Sequence, residues 1–229
     1  MVIRLSPRLR RIADYVRPGE IVIDVGTDHA YIPIYLLQNN ISERAYASDL
    51  RAGPLENARR DAVSGGVADR LTLFCCDGLS ACDPDSVDTV IVAGMGGETI
   101  QGILSAAPWS RGKRCILQPQ TMFHELRQFL AASGRRISDA SLAYDTGRIY
   151  LIWLVEQGSM DPSCTIDPSL IEKRDPLLVP YTEDLIKRLR KQLNGLERSK
   201  APDEAQMQLL RRDLEELQRI REEGSLWQR

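Results

Sequence analysis

The sequence predicts an α/β fold: a doubly wound, mostly parallel sheet followed by a separate helical hairpin. Three observations carry that prediction. Short, continuous apolar runs recur along residues 20–157, with helical stretches between them. Most of these runs end in an acid or a glycine. After Gly158 the runs stop, and charged segments with leucines three and four residues apart take over.

The elements follow in order. "EIVIDV" (20–25) is a buried strand, and "YIPIYLLQNN" a helix beginning near Ala30, because Pro33 is tolerated only in a first turn. "RAYASDL" (44–50) is a second strand, followed by the helix "GPLENARRDAVSGG", which Gly65 and Gly66 close. "LTLFCCD" (71–77) and "DTVIVAGM" (88–95) are strands three and four. The helix "ETIQGILSAA", a fifth strand "RCILQP" (114–119) and the helix "TMFHELRQFLAASG", ended by Gly134, come next. "RISDASLAYD" and "GRIYLIWLVEQ" have no helix between them and read as an antiparallel pair closing the sheet. Alternating apolar strands and helices imply a parallel sheet covered on both faces, and right-handed crossovers leave few topologies for it.

Domain boundaries fall at residues 1–158 for the sheet and 159–229 for the appendage. "SMDPSCTIDPSL" is turn-rich and reads as a linker. Beyond it, Leu185, Leu189, Leu193 and Leu196 form one helical stripe, and Leu210, Leu214, Leu217 and Ile220 another. Between them Pro202 stands at a first helical turn, with Asp203 and Glu204 suited to a helix N-terminus. The two segments make an antiparallel, coiled-coil-like hairpin, serving either as a stabilising arm or as a substrate clamp.

Composition narrows the class. The chain is 43% hydrophobic and 27% charged with a net charge of −2, so bulk charge gives no pull toward nucleic acid. Local charge differs: Arg4, Arg8, Arg10, Arg11 and Arg17 face one acid, Asp14, in the first 17 residues. Such a run meets phosphates or forms a solvated helix face. No apolar stretch approaches the ~18 residues of a membrane span, and the N-terminus lacks a signal-peptide core. Cys75, Cys76, Cys82, Cys115 and Cys164 form no C-x-x-C pair, and His29 and His124 lie far apart. No zinc or other metal site is expected, and the scattered cysteines suit a reducing cytoplasm.

In an open parallel sheet, ligands sit outside the carboxyl ends of the strands where strand order reverses. Those ends carry Asp24-Val25-Gly26-Thr27-Asp28-His29, then Asp49, then Asp77-Gly78, then Gly94-Met95-Gly96-Gly97, and last Gln118-Pro119-Gln120. Gly26 suits a backbone passing close to a ligand, and the amides opening the next helix suit an anionic group. A dinucleotide needs G-x-G-x-x-G to seat its pyrophosphate; "GTDHAY" lacks it, which argues against a nicotinamide or flavin enzyme. A ligand joining a nucleoside to an amino acid, without phosphate, needs less glycine. S-adenosylmethionine is such a ligand: Asp24 suits its ammonium, Asp49 its ribose diol and Asp77, beside Gly78, its adenine amino group. Met95 packs on a base or fills core.

Taken together, "IDVGTDHAYIPIYL", "VAGMGGETI" and "LQPQ" resemble the bacterial tRNA (adenine-22-N1)-methyltransferases, the TrmK family. The resemblance runs from "LSPRLRRIADYV" to the C-terminal hairpin. It implies a class I (Rossmann-like) methyltransferase sheet with a coiled-coil-like C-terminal domain. It also implies S-adenosylmethionine as cofactor and a tRNA methylated at N1 of adenine 22 in the D-arm. Carried over, Asp24, Gly26 and Thr27 belong to the cofactor loop, Asp49 to the ribose site, and Asp77 with Gly78 to the adenine side. Gly94 and Met95 flank the cofactor, and Gly96, Gly97, Gln118, Pro119 and Gln120 face the target base. Two departures stand out: Thr27 where the family often has serine, and Gln120 where it usually has asparagine.

Adenine N1 carries an in-plane lone pair, so methyl transfer needs alignment more than deprotonation. Positive charge grows on the base, and Asp28 is the first choice to stabilise it or accept a proton. His29 is the second choice, or it only shapes the loop. Tyr31 stacks on the base or the cofactor. The base is extruded from the tRNA, with Arg4, Arg8, Arg10 and Arg11 gripping phosphates. The chain is expected to act as a cytoplasmic monomer. The rivals are a methyltransferase of another RNA, a small molecule or a protein, and a non-catalytic module recruiting a partner through its hairpin.

Overall fold

The computed structural model describes residues 1–199 and 203–227. The chain divides into two compact units, Met1–Pro162 and Ser163–Arg229.

The first unit opens with α1 (Pro7–Ala13), then alternates β1 (Val22–Val25), α2 (Tyr31–Gln38), β2 (Ala45–Asp49), α3 (Ala52–Gly65), β3 (Leu71–Cys75), β4 (Thr89–Met95), α4 (Gly97–Ala106), β5 (Arg114–Pro119) and α5 (Phe123–Ala132). The hairpin β6 (Arg135–Asp145) and β7 (Arg148–Gln157) ends it. The sheet order is β3-β2-β1-β4-β5-β7-β6. β1 through β5 pair in parallel, and β7 is antiparallel to both neighbours. The expected Rossmann-like layout is therefore borne out. Strand order reverses at β1, between β2 and β4, so the carboxyl ends of these strands frame the crevice.

Physical reasons for the elements are local. β1 is buried at all four positions, as a central parallel strand with helices on both faces must be. α1, α2 and α3 contribute Ile12, Ala13, Ile34, Leu36, Leu37, Ala58 and Ala62 to one continuous apolar cluster with Val22, Ala45, Ala47, Ile91 and Ile116 of the strands. α4 and α5 pack against each other and against β4, β5 and β6. Gly66, at φ +71°, closes α3 in the left-handed conformation a helix C-terminus favours. The β6–β7 turn has two residues, Thr146 and Gly147, both at positive φ, as a type I′ hairpin requires.

The arginine-rich N-terminus, read as a phosphate-meeting run or a solvated helix face, contains α1, begun by Ser6 and Pro7. Two other local readings change. The segment read as a linker holds the start of α6 (Pro168–Glu172), whose N-terminus Asp167 caps by accepting from the Ser169 N–H at 3.2 Å. Strand three stops at Cys75, so Asp77 and Gly78 belong to the turn beyond it.

In the second unit α7 (Leu178–Glu197) and α8 (Glu204–Trp227) pack together. They run antiparallel: Arg211 pairs with Glu197 at one end, while at the other a Cβ on Gly224 would lie 2.9 Å from Val179. Met207, Leu210, Leu214, Leu217 and Ile220 are buried along α8. Leu185, Leu189, Leu193 and Leu196 of α7 are half-buried. The first-turn position expected for Pro202 lies outside the described residues. Among those residues, no helix is long and apolar enough to cross a membrane.

Candidate active site

Asp24, next to last in β1, is buried, only 7% exposed. It accepts the Thr27 hydroxyl at 2.7 Å, and Thr27 Oγ1 in turn accepts the Ala30 N–H at 2.9 Å. Burial pushes the Asp24 carboxyl up to about 6; the Thr27 hydrogen bond and the charge of Arg8 oppose that rise without cancelling it. Between them the chain turns at Gly26, φ +74°, where a Cβ would sit 1.9 Å from the Met95 methyl. Any side chain here would fill the space between the β1 turn and the β4 loop.

Ser48 ties three loops together. It is fully buried in β2. Its carbonyl accepts the N–H groups of Gly26 at 2.7 Å and Thr27 at 3.1 Å. Its hydroxyl donates to the Gly78 carbonyl at 2.8 Å. Asp49 follows at the strand end, with Oδ1 accepting the Arg51 N–H at 2.8 Å. Asp77 is exposed, and Gly78 turns the chain at φ +55°. Asp24, Gly26, Thr27, Asp49 and Gly78 thus belong to one hydrogen-bonded edge of the crevice.

The opposite edge is built from glycines. Gly94 is the bulged residue in the β4–β5 pairing, at φ +79°. The Gln120 N–H donates to the Met95 carbonyl at 2.9 Å, and the Gly97 N–H to the Thr121 carbonyl at 3.0 Å. A Cβ on Gly97 would meet the carbonyls of Met122 and Thr121 at 2.7 and 2.8 Å, so only glycine lets α4 start this close to the β5–α5 loop. Gly96 and Gln120 flank this contact. Gln118 and Pro119 are buried, Gln118 completely. The Gln118 amide accepts from Arg8 Nη1 at 2.9 Å and donates to the Pro119 carbonyl at 2.9 Å.

The N-terminal arginines divide. Arg8 lies at the crevice: its guanidinium is 5.3 Å from the Tyr150 ring centroid, and its backbone N–H donates to Asp145 at 3.4 Å. Arg10 pairs with Asp14 at 2.8 Å and donates to the Tyr35 hydroxyl. Arg4 and Arg11 are exposed.

Asp28, His29 and Tyr31 sit together just past the β1 turn. Asp28 is exposed, 3.6 Å from His29 Nε2 and 3.5 Å from the Asn57 amide of α3. His29 Nδ1 lies 2.7 Å from Asp61 of α3. The His29 and Tyr31 rings stack, 4.9 Å between centroids and 16° between planes. Ser48, Asp61, Asp145 and Tyr150 were missed in the sequence. Of these only Asp145 had a signal, the "DTGR" hairpin turn at the carboxyl end of the sheet.

Comparison with known proteins places this geometry. Residues 5–153 match the family described as Methyltransferase domain. The tRNA (adenine(22)-N(1))-methyltransferase of Bacillus subtilis (strain 168) is 30% identical over 161 residues, which cover 69% of this chain and 68% of that protein. This chain belongs to the TrmK family of tRNA (adenine-22-N1)-methyltransferases. Solved relatives extend the TrmK likeness over 95–96% of the chain. A Streptococcus pneumoniae protein in complex with S-adenosyl-L-methionine superposes with TM-score 0.81 at 27% identity, over 95% of this chain and 100% of that one. M. capricolum TrmK in complex with S-adenosyl-homocysteine gives 0.73 at 26%, over 96% and 98%. In both TrmK comparisons the matched length includes the helical hairpin.

Proposed function

We propose that this protein transfers a methyl group from S-adenosylmethionine to N1 of adenine 22 in the D-arm of tRNA. The observation that carries the reading is a buried carboxylate, Asp24, with no ion-pair partner among the described residues, beside the positive-φ turn at Gly26 where a Cβ would meet Met95. A buried carboxyl raised to about 6 gains most from a ligand that brings a positive charge. The donor set fits the cofactor: Asp24 for the ammonium, Asp49 for the ribose diol, Asp77 and Gly78 for the adenine, and the Gly26–Thr27 turn for close backbone approach. Gly94 and Met95 close the far side.

Bound S-adenosylmethionine supplies an electrophilic methyl group on a sulfonium. The protein's own residues do the rest. The loop at Gly96 and Gln120 faces the flat base, while Gly97 and Pro119, both buried, hold that loop from behind. Gln118 acts from behind, since both ends of its amide are held inside the protein. Asp28 and His29 stabilise positive charge on the methylated base or take its proton, and Tyr31 supplies a stacking face. The exposed Arg4 and Arg11 grip phosphates, while Arg8 and Arg10 are partly engaged within the fold.

On this reading residues 1–158 are the methyl-transfer domain and 159–229 the helical hairpin domain. The protein works as a monomer, without a metal, in the cytoplasm where tRNA is found. The decisive experiment incubates unmodified tRNA transcript with the protein and methyl-labelled cofactor. Nucleoside mass spectrometry and position mapping then follow. Label in 1-methyladenosine at position 22 is the expected result; label elsewhere, or in a metabolite mixture instead, refutes it.

A further inference from the structure

The segment after Gly26 is held from two sides. Ala30 adopts the left-handed conformation, φ 50°, which is strained for a residue carrying a Cβ. It is kept there by the buried relay from Asp24 through the Thr27 hydroxyl to the Ala30 N–H. The relay projects Tyr31 outward at the first position of α2, 38% exposed. The second hold comes from another element. Asp61 of α3, its side chain only 16% exposed, meets His29 Nδ1 at 2.7 Å. A carboxylate accepts, so the imidazole donates through Nδ1 and its other nitrogen, Nε2, is directed toward Asp28 at 3.6 Å. With its in-plane rotation fixed this way, the imidazole lies nearly parallel to the Tyr31 ring. Two stacked rings, both part-exposed at the carboxyl end of β1, form a flat π surface beside the crevice.

We propose that His29 and Tyr31 form a two-ring stacking platform for a nucleobase of the RNA, and that Asp61 is the residue that positions it. The proposal rests on the methyltransferase reading above and adds to it a residue on α3 that acts through His29. A base drawn out of its stack gains from any aromatic face that replaces its lost neighbours. A histidine free to rotate offers that face only part of the time; one clamped by a carboxylate offers it always. The charged groups facing the imidazole are Asp28 from its own loop and Asp61 from α3, with Asn57 adjacent and Tyr31 beneath.

The test compares wild type, Asp61→Ala and Asp61→Asn on an unmodified tRNA transcript, with S-adenosylhomocysteine binding measured calorimetrically in parallel. Asp61→Ala is expected to raise KM for tRNA about five- to ten-fold, the lower part of the range for losing one base–aromatic stack. Its affinity for S-adenosylhomocysteine is expected to stay within about two-fold of wild type. Asp61→Asn keeps an acceptor for Nδ1–H and is expected to restore most of the loss. Ring-nitrogen NMR supplies a readout that mere structural damage does not mimic. The chain has only two histidines, so a His124→Gln background isolates the His29 signals. Wild type is expected to show the Nδ1–H pattern and Asp61→Ala to lose it. Unchanged KM in Asp61→Ala with wild-type turnover overturns the proposal, as does a loss confined to S-adenosylhomocysteine affinity, which would assign the platform to the cofactor. Wild-type protein that methylates no tRNA removes the parent reading, and this one with it.

Discussion

Replacing Asp24 with asparagine is expected to make the protein more stable and less able to bind its cofactor. The carboxyl rises from 3.8 to about 6 in the folded chain, chiefly through burial. A difference of about two units is on the order of 3 kcal/mol against the ionised form at neutral pH. The sign follows from the raised value. The contribution of Asp24 is fully present below 3.8, where it is neutral in both states, and is lost as pH rises through about 6. Asparagine keeps the acceptor that Thr27 needs but carries no charge. Its amide N–H groups need partners of their own, so a net gain of about 1–2 kcal/mol is expected, raising Tm by roughly 2–8 °C for a chain this size. Scanning calorimetry at pH 7.5 should show that gain, and at pH 4 it should be largely gone. Titration with S-adenosylhomocysteine, which keeps the amino-acid ammonium, should show the opposite loss. A charged hydrogen bond in a buried site contributes about 1.5–3 kcal/mol, so affinity should fall roughly ten- to hundred-fold. Wild-type affinity should itself weaken below about pH 6, as Asp24 takes up a proton, and the variant should be flat there. A variant that binds like wild type removes Asp24 from the cofactor site. A variant that melts no higher at pH 7.5 refutes the burial argument.

Other outcomes follow from single contacts. Arg8→Met removes the donor to the fully buried Gln118 carbonyl, which should cost about 1–3 kcal/mol in denaturant unfolding. The same change removes a charge that holds the Asp24 carboxyl down, so the pH midpoint of cofactor binding should move upward. Gly97→Ala drives a Cβ to within 2.8 Å of two backbone carbonyls, and a loss of about 1–3 kcal/mol in thermal unfolding is expected. The salt slope of tRNA binding, log K against log salt, should shrink by about 0.7–0.9 for each of Arg4→Ala and Arg11→Ala, and by less for Arg10→Ala, whose guanidinium Asp14 already engages.

The strands and their ends were legible because a central parallel strand leaves a continuous apolar run, and the acid or glycine after it breaks the run. "EIVIDV" and "DTVIVAGM" announce both features at once. α1 was less legible: with Arg4, Arg8, Arg10 and Arg11 around so few buried positions, its charge hid its packing face. α6 was hidden by Asp167-Pro168, a pair that reads as a turn as readily as a helix start. The Asp61–His29 contact was not legible at all. The two residues lie 32 apart, and Asp61 sits in "ENARRDAV", which looks like an ordinary solvated helix face. Nor does a sequence reveal that Gly26 and Met95 oppose each other. That follows only from the β1–β4 pairing, Val25 beside Val92, which carries the two loops past one another.

The same pairing raises a question of charge. Asp24, Asp28, Asp49, Asp77 and Asp145 all stand at the carboxyl ends of strands or just beyond, outnumbering the cations set among them, Arg8 and Arg51. Such a mouth should repel RNA. The proposed chemistry makes the excess of acids reasonable, since the reacting groups are cationic at both ends of the step. The methyl donor arrives with a positive charge, and methylation at N1 leaves that charge on the base. Acids placed around the path stabilise it at either end. The phosphates then have to stay outside. Screening at physiological salt acts over about 8 Å, so a modest separation suffices. Extruding a single base meets this condition, because the neutral ring enters the acidic crevice while its backbone remains at the rim. There the exposed arginines, and the ring platform clamped by Asp61, can receive it. On this account base flipping is required by the electrostatics of the site as well as by access to the N1 atom.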